Sequence, residues 1–256
     1  MNPKSPTLDS KPGRLADRVA LITGGSRGIG LAIAQTCAQE GAQLALVARD
    51  HKALDHAGKR VPGTVSFAAD VTNESDVRRL FQFMRRQFGR LDILVNNAGV
   101  FTYKPFTQTT LSDWNQNLSS NLTSLFLVTQ ALLPLLERSP RPHIVNILSI
   151  AGRVAFPKCS AYCASKFGAL GFTRVLAKEL RLKGIRVTAI LPGSTSTRMA
   201  DEFDFPVDRK KLLQPEDVAE AALAAMLQPA RATVDEIFLT PSQGDVAATT
   251  KGKKRR

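Results

Sequence analysis

Ser149, Tyr162 and Lys166 lie in one segment, SIAGRVAFPKCSAYCASKFGAL, at a spacing suited to chemistry on a carbonyl group. Tyr162 and Lys166 are four residues apart, so in a helix they share a face and the ammonium lies about one turn beyond the phenol. Ser149 follows the apolar run IVNIL, which predicts a buried strand ending just before it. Ligands bind at the carboxyl ends of strands in parallel sheets. The spacing therefore predicts a hydroxyl, a phenol and an ammonium around one oxygen atom.

A glycine-rich turn lies upstream, in the segment VALITGGSRGIGLAIAQ. Val19 to Thr23 has the composition of a buried strand, and Gly24, Gly28 and Gly30 follow it. Their missing side chains would let backbone amides approach a pyrophosphate at the positive end of the next helix. The spacing differs from the usual dinucleotide fingerprint, and no Gly-Lys-Ser/Thr follows, as a nucleotide triphosphate loop requires. A tight turn without a ligand is the alternative.

Together with NNAG at 96–99 and PGSTST from Pro192, these segments resemble the short-chain dehydrogenase/reductase family, classical type. The resemblance covers most of the chain, with the motifs in the family's order. It implies a single α/β domain with a Rossmann-like, doubly wound parallel sheet of about seven strands and helices on both faces. It also implies an oxidoreductase that uses a nicotinamide cofactor.

The pattern along the chain agrees, since apolar runs alternate with helical segments. The predicted strands are Val19 to Thr23, Gln43 to Val47, Val65 to Ala68, Ile93 to Asn96, Ile144 to Leu148, Arg186 to Ile190 and Glu236 to Leu239. The predicted helices are Ile29 to Glu40, Glu74 to Phe88, Trp114 to Leu136, Tyr162 to Leu182 and Pro215 to Leu227. We expect one domain over 18–244, a flexible segment over 1–17 and a disordered basic tail over 245–256. Within the domain, the charged segment 198–213 resembles the family's substrate flap.

Arg49 follows the second predicted strand, where an NAD site places an acidic residue to bind the ribose. A guanidinium at that point can instead bind a 2′-phosphate through two charge-assisted hydrogen bonds. Arg27, inside the glycine turn, can reach the same phosphate. Both positions favour NADP(H), although a shift of one residue would bring Asp50 to the ribose.

The remaining cofactor contacts follow from the resemblance alone. Asp70 with Val71 resembles the pair that contacts the adenine; the alternative for Asp70 is a helix N-cap, for which Thr72 is a better candidate. Asn96 at the end of the fourth strand is expected mainly to brace the sheet. The full set of expected cofactor-binding residues is Gly24, Ser26, Arg27, Gly28, Ile29, Gly30, Arg49, Asp70, Val71, Asn97, Ala98, Gly99, Tyr162, Lys166, Pro192, Gly193, Thr195 and Thr197.

Reduction of a carbonyl leaves negative charge on oxygen, so the site must donate a proton and stabilise that charge. A free tyrosine has a pKa of about 10, and a neighbouring ammonium favours the phenolate. Tyr162 is therefore the expected acid in reduction and base in oxidation, with Lys166 tuning it and Ser149 holding the substrate oxygen. By resemblance, Lys166 also binds the nicotinamide ribose, and Asn121 is a fourth catalytic residue on a water-linked proton path. An N-cap or helix-surface role is the alternative for Asn121.

Charge and composition limit other functions. The formal net charge is +13, of which the tail KGKKRR supplies five. With one Trp and two Tyr and no basic helix with interleaved aromatics, a dedicated nucleic-acid surface is not expected. No apolar run reaches the roughly 20 residues of a membrane span, and no signal sequence is evident, so we expect a cytoplasmic protein, with an organellar location left open. The three cysteines lack metal-ligand spacing and are expected to be reduced, with no metal bound.

Three functions remain open from the sequence. The first is an NADPH-dependent reductase of a ketone or aldehyde, including 3-oxoacyl thioesters. The second is an NADP-linked alcohol dehydrogenase, and the third is a non-catalytic NADPH-binding scaffold with a basic tail. The expected partner is a small carbonyl or acyl-thioester substrate, and the family resemblance implies a homodimer or homotetramer formed through the two long helices.

Overall fold

Seven parallel strands form one sheet in the computed structural model, which describes residues 13–244. The strands are β1 (Val19–Thr23), β2 (Gln43–Ala48), β3 (Val65–Ala68), β4 (Ile93–Asn96), β5 (His143–Ile147), β6 (Arg186–Pro192) and β7 (Glu236–Leu239). Their order across the sheet is β3-β2-β1-β4-β5-β6-β7. The order reverses between β1 and β4, and in open parallel sheets such a switch point marks the ligand-binding crevice.

Seven α-helices connect the strands within the described part of the chain. They are α1 (Gly28–Gln39), α2 (His51–Arg60), α3 (Glu74–Gln87), α4 (Leu111–Leu118), α5 (Ser124–Leu136), α6 (Ser160–Arg181) and α7 (Pro215–Met226). A π-helical turn, Ser119–Thr123, joins α4 to α5. Short 3₁₀ turns occur at Phe106–Gln108, Ile150–Gly152, Arg198–Glu202 and Arg209–Lys211.

The core lies on both faces of the sheet. Residues of β1, β4 and β5 are buried along their whole length, as expected for strands covered on both sides. One cluster packs α1, α2 and α7 against one face, and a second packs α3, α5 and the end of α6 against the other. The predicted fold class, a doubly wound parallel sheet in one domain, is confirmed.

The strand predictions agree with the structure to within two residues at either end. The helix predictions contain two errors. Helix α2 was not predicted, and the predicted helix Trp114 to Leu136 is two helices separated by the π-helical turn, beginning at Leu111. The packed unit also begins before the predicted boundary at residue 18, because Leu15 is fully buried and its N–H donates to the Glu40 carbonyl at 2.8 Å. The basic tail over 245–256 and residues 1–12 lie outside the described residues.

The stretch Leu111–Leu136 is long enough to cross a membrane, and an 18-residue window within it has a mean hydropathy of 1.3. In this fold its second half is a core helix. Val128, Leu132 and Leu135 of α5 are fully buried against the sheet, and this packing accounts for the apolar composition. The stretch is therefore weak evidence for a membrane span.

Candidate active site

The glycine turn after β1 is held by the end of β4. Gly24 has a φ of 63°, and a Cβ there would lie 2.8 Å from Nδ2 of Asn97. That Nδ2 donates to the carbonyls of Thr23 at 3.0 Å and Gly24 at 3.2 Å. The backbone N–H groups of Asn97 and Ala98 donate to Thr23 Oγ1 at 3.0 and 3.1 Å. Only glycine fits at position 24, because both the conformation and the space exclude a side chain.

Helix α1 begins at this turn without a side-chain cap. Its N-cap residue, Arg27, makes no side-chain capping hydrogen bond, whereas Asp50 caps α2 and Asn73 caps α3. The first backbone N–H groups of α1 therefore remain as donors at the positive end of the helix. A phosphate group suits this position, since it accepts several hydrogen bonds and carries negative charge.

A cleft of about 1030 Å³ runs along the carboxyl edge of the sheet past this turn. Most of the predicted cofactor-binding residues line it: Gly24, Ser26, Arg27, Gly28, Ile29, Arg49, Asp70, Val71, Asn97, Ala98, Gly99 and Thr197. Gly30 is different, because it lies inside α1, where a Cβ would come 2.4 Å from the Gly24 carbonyl oxygen. Gly30 therefore allows α1 to pack closely against the turn and does not line the cleft. Pro192, Gly193 and Thr195 line a second cavity next to the cleft.

Arginines stand at the end of the cleft nearest β2. Arg27 and Arg49 are exposed, and within residues 13–244 neither forms an ion pair with a carboxylate. Arg60, at the end of the unpredicted α2, lines the same cleft. Asp50 caps α2 by accepting from Ala53 N at 3.1 Å. The carboxylate that was the alternative ribose ligand is thus engaged in holding a helix.

Asp70 lies on the wall of the cleft and does not cap a helix. Its Oδ1 accepts from the N–H and the hydroxyl of Thr72, at 2.9 and 2.8 Å. The N-cap of α3 is Asn73, whose Oδ1 accepts from Ser75 N at 2.8 Å. The capping alternatives for Asp70 and Thr72 were therefore wrong, because the N-cap of α3 lies three residues after Asp70 and one after Thr72.

Ser149, Tyr162 and Lys166 line the second cavity, which has a volume of about 130 Å³. Ser149 follows β5 by two residues, is 8% exposed, and accepts from Ala151 N at 3.0 Å through Oγ. Tyr162 and Lys166 both lie in α6, and the Lys166 Nζ is 5.8 Å from the centroid of the Tyr162 ring. The three side chains predicted from spacing are thus brought to one cavity.

Lys166 is buried, 6% exposed, and its Nζ donates to the carbonyl of Ile147 at 3.4 Å. Burial disfavours the charged amine and lowers its pKa to about 8. With that pKa the amine is still mostly protonated at pH 7. A positive charge therefore lies beside the Tyr162 phenol in the neutral range.

Asn121 lies in the π-helical turn and is 2% exposed. Its Oδ1 accepts from Val100 N at 2.8 Å, and its Nδ2 donates to Val100 O at 3.0 Å and to Ser165 Oγ at 2.9 Å. The alternatives of an N-cap or a surface asparagine were wrong. The amide instead joins the loop after β4 to helix α6, one residue from Lys166. A Cβ on Gly99 would lie 2.7 Å from Asn121 Oδ1 and 3.9 Å from Lys166 Nζ, so the loop passes close to both.

Asn96 braces the sheet, as expected. Its Nδ2 donates to Thr129 Oγ1 of α5 at 3.0 Å and to Asn146 Oδ1 of β5 at 2.9 Å. Asn146 in turn donates to Thr173 Oγ1 of α6 at 3.0 Å. This buried chain of hydrogen bonds fixes β4, β5 and both helices behind the cavity.

Sequence reasoning missed the aromatic residues around the cavity. Phe101 and Phe203 line it, and Tyr103 lines the neighbouring cleft. They come from two loops far apart in the sequence, where no periodic pattern indicates a shared location. The available signal was a local concentration of aromatic residues. The segments FTY at 101–103 and FDF at 203–205 stand out in a chain that is only 6% aromatic.

The cysteines near the site are buried and free. Cys159 lines the cavity, and burial raises its pKa to about 12. Burial also raises the pKa of Cys163. Both thiols therefore stay protonated at neutral pH, which disfavours reaction with oxidants or metals.

A parallel sheet that carries a glycine turn at its switch point and a Ser, Tyr and Lys cavity beside it defines a dinucleotide-dependent oxidoreductase. Residues 18–205 match the family model described as short chain dehydrogenase. The chain therefore belongs to the short chain dehydrogenase family, as its motifs predicted.

Two relatives illustrate the similarity. The chain is 35% identical over 232 residues to an uncharacterized oxidoreductase of Staphylococcus saprophyticus, covering 89% of this chain and 98% of the relative. It is 36% identical over 239 residues to the sepiapterin reductase of Chlorobaculum tepidum, with the same coverage.

Solved structures agree with the fold. A short-chain oxidoreductase from a metagenome, in complex with NADP, has a TM-score of 0.78 and 30% identity, covering 90% of this chain and 99% of its own. A short chain dehydrogenase of Shigella flexneri 2a, also complexed with NADP, has a TM-score of 0.82 and 32% identity, with the same coverage.

Proposed function

We propose that this protein is an NADPH-dependent reductase that transfers a hydride to a ketone or aldehyde, with Tyr162 as the proton donor. One observation carries the proposal. The cavity lined by Ser149, Tyr162 and Lys166 adjoins a cleft whose far end presents two arginines unpaired with carboxylates among the described residues. A cofactor can thus lie in the cleft and a carbonyl in the cavity.

The residues of the cleft fit NADP(H). The uncapped amides of α1 suit the pyrophosphate, and Arg27 with Arg49 suits a 2′-phosphate, with Arg60 nearby. The two NADP complexes among the similar structures support this choice. By family resemblance, Asp70 and Val71 would contact the adenine, Asn97 to Gly99 the adenine ribose, and Pro192, Gly193, Thr195 and Thr197 the nicotinamide. When bound, NADPH would supply the hydride.

The side chains of the cavity supply the rest of the chemistry. Ser149 donates a hydrogen bond to the substrate oxygen and holds it against Tyr162, which gives up its phenolic proton as charge develops. The Lys166 ammonium, 5.8 Å from the ring centroid, stabilises the phenolate that remains. Asn121, which is bonded to Ser165 one residue before Lys166, holds the loop and helix in place for proton return to the tyrosine.

The same residues permit oxidation of an alcohol, with Tyr162 as the base, so direction is a separate question. A scaffold without activity has no need of the Ser, Tyr and Lys arrangement. The experiment is NADPH consumption by the purified protein across a panel of carbonyl compounds that includes sepiapterin, because of the similar reductase, and an acetoacetyl thioester. Consumption that requires both carbonyl and intact Tyr162 supports the proposal, and binding of NADPH without turnover of any compound overturns it.

We also propose that the protein acts as a homodimer or homotetramer in the cytoplasm. Helices α5 and α6 leave three large apolar side chains exposed, Phe126, Phe167 and Val175. Such a surface suits burial against a second copy. Light scattering after size exclusion gives the mass, and a monomer would contradict the proposal.

A further inference from the structure

Five aromatic rings, contributed by the loop after β4, helix α6 and the flap, form one cluster beside the cavity. Phe101 contacts the ring of Tyr162 edge-on, with centroids 4.8 Å apart and an interplanar angle of 83°. Phe203 of the flap lies 5.4 Å from Phe101 and 5.2 Å from Tyr103, both edge-on. Phe205 adds contacts to Phe203 at 5.1 Å and Tyr103 at 6.1 Å. The proton-donating ring is thus one wall of an aromatic cluster.

The cavity beside this cluster is small and almost without charge. Phe101, Phe156, Met199 and Phe203 line it, and Lys166 is the one charged residue among the described residues that do so. A charged group on a substrate would lose its hydration there without gaining a counter-ion, except at the amine that serves the reaction. The volume is only about 130 Å³, and the residues expected to contact the nicotinamide, Pro192, Gly193 and Thr195, line the same cavity, which limits the substrate to a compact group.

Lys158 holds this cluster in place. It adopts a φ of 63°, a left-handed conformation that is unfavourable for a lysine. Its Nζ is ion-paired with Asp204, between the two flap phenylalanines, and lies 5.2 Å over the ring of Tyr103. Its carbonyl accepts from Lys104 N at 2.8 Å. A strained residue that ties three loops together fixes the rings in advance of substrate, which reduces the entropy lost on binding.

We infer that the substrate is a neutral carbonyl compound whose carbonyl carbon bears a single flat aromatic ring, with Phe101 and Phe203 determining this specificity. The inference rests on the proposed function and names its substrate class. The ring packs against the cavity side of Phe101 and Phe203, which contact each other at 5.4 Å, and the carbonyl oxygen points to Ser149 and Tyr162. Acyl thioesters fit less well, because a flexible acyl chain loses more conformational entropy on binding among fixed rings than a flat ring does.

The first test compares kcat/KM for three matched aldehydes and one thioester at saturating NADPH. Benzaldehyde is compared with cyclohexanecarbaldehyde, which is apolar but not flat, with 4-carboxybenzaldehyde, which is flat but charged, and with an acetoacetyl thioester. We expect kcat/KM to be highest for benzaldehyde, by about tenfold or more over the charged analogue. Equal or better turnover of the thioester or of 4-carboxybenzaldehyde overturns the inference and leaves the reductase proposal standing. No turnover of any carbonyl overturns the reductase proposal itself.

The second test assigns the specificity to the rings. Phe101→Leu and Phe203→Leu keep apolar volume but remove the aromatic edges, and Phe106→Leu changes an exposed phenylalanine that lines neither cavity. We expect the first two to lower the benzaldehyde to cyclohexanecarbaldehyde ratio of kcat/KM about three- to tenfold, and Phe106→Leu to leave it unchanged. The ratio is internal to each variant, so partial unfolding does not mimic the effect. An unchanged ratio in both cavity variants refutes the assignment.

Discussion

Asn121 and Val100 exchange two hydrogen bonds, from Val100 N to Oδ1 at 2.8 Å and from Nδ2 to Val100 O at 3.0 Å. The side-chain amide pairs with the loop after β4 as a neighbouring strand would. Asn121→Ala leaves both backbone groups without this partner, at a cost of about 1–3 kcal/mol for each group that stays buried. It also frees the loop that carries Gly99 and Phe101. We expect a lower free energy of unfolding, measured in urea, and a fall in kcat of about tenfold or more.

Asn117→Ala is the matched control for that variant. Asn117 is also fully buried, one helical turn earlier, and donates to Thr102 Oγ1 at 2.7 Å and to Asp113 O at 2.8 Å. It should lower stability by a similar amount with a smaller effect on kcat. If both variants lose the same activity, Asn121 serves only the fold.

Removal of the Tyr162 hydroxyl tests the proton donor. Tyr162→Phe keeps the ring and its edge contact with Phe101 but loses the group that donates to the developing oxyanion, a change that costs about 10² to 10³ in rate. The Kd for NADPH, from fluorescence titration, should be nearly unchanged. More than a tenth of wild-type kcat on every reduced compound would disprove the assigned role.

The two arginines of the cleft should set the choice of cofactor. Charge-assisted hydrogen bonds to a phosphate contribute about 1.5–3 kcal/mol, so Arg49→Ser or Arg27→Ser should weaken NADPH binding about ten- to hundredfold and NADH binding little. Arg78→Ser removes the same charge at an exposed residue of α3 that does not line the cleft, and it is the control. Calorimetry measures the Kd of each variant for NADPH and NADH. An equal loss of affinity for the two cofactors would show that the arginines do not bind the 2′-phosphate.

Burial of Lys166 predicts a pH dependence for NADPH binding. Its pKa is lowered to about 8, so the cofactor-free protein loses this positive charge as the pH rises through 8. The Kd for NADPH should therefore rise above about pH 8 in the wild type. Lys166→Arg keeps its charge throughout and should lack this rise. Lys178→Met, exposed on the same helix, should retain it. A wild-type Kd that is constant from pH 7 to pH 9.5 would contradict the lowered pKa.

His143 predicts loss of stability in mild acid. It is fully buried at the start of β5, bonded to Thr188 Oγ1 at 2.8 Å, and burial with help from Arg186 and Arg18 lowers its pKa to about 3. The unfolded chain binds a proton near pH 6.5 and the folded chain does not, so stability is fully present above that pH and falls below it. From pH 6.5 to 5 the loss is about 2 kcal/mol.

His143→Gln keeps a hydrogen-bonding group and removes the titration. The variant should start from a lower free energy of unfolding, because the site is close-packed, but should lack this slope between pH 6.5 and 5. Urea unfolding at several pH values measures the slope independently of that offset. The same slope in both proteins would assign the acid sensitivity to other groups.

The sheet was predictable because its strands are short apolar runs that are buried on both faces. Helix α2 was not predictable, since its sequence, HKALDHAGKR, is mostly polar and so resembles a loop. Only Leu54 and Ala57 of this helix are buried. The break at Ser119–Thr123 was also invisible, because α4 and α5 continue one apolar pattern across it and a π-helical turn has no sequence signature of its own.

Within the site, the residues correctly predicted to be neighbours were those that local sequence patterns place on a helix face or at a strand end. Tyr162 and Lys166 share a helix face by spacing alone, and Ser149 follows a strand. Phe101, Tyr103 and Phe203 could not be placed this way, since each is brought into the aromatic cluster by long-range packing of its loop. The partner of Asn121 was hidden for the same reason, because Val100 is bonded to it across the fold.

At the switch point between β1 and β4, residues for cofactor choice and residues for carbonyl chemistry come from two different parts of the chain. Arg27, Arg49 and the uncapped end of α1 come from the part before β4, and the phenol, the amine and the aromatic rings come from the part that begins with it. Cofactor preference and carbonyl choice can therefore change by separate mutations. A chimera of two family members can cross over just before β4, provided that the pairing of β1 with β4 is kept. Such a chimera would take its cofactor preference from one parent and its carbonyl choice from the other.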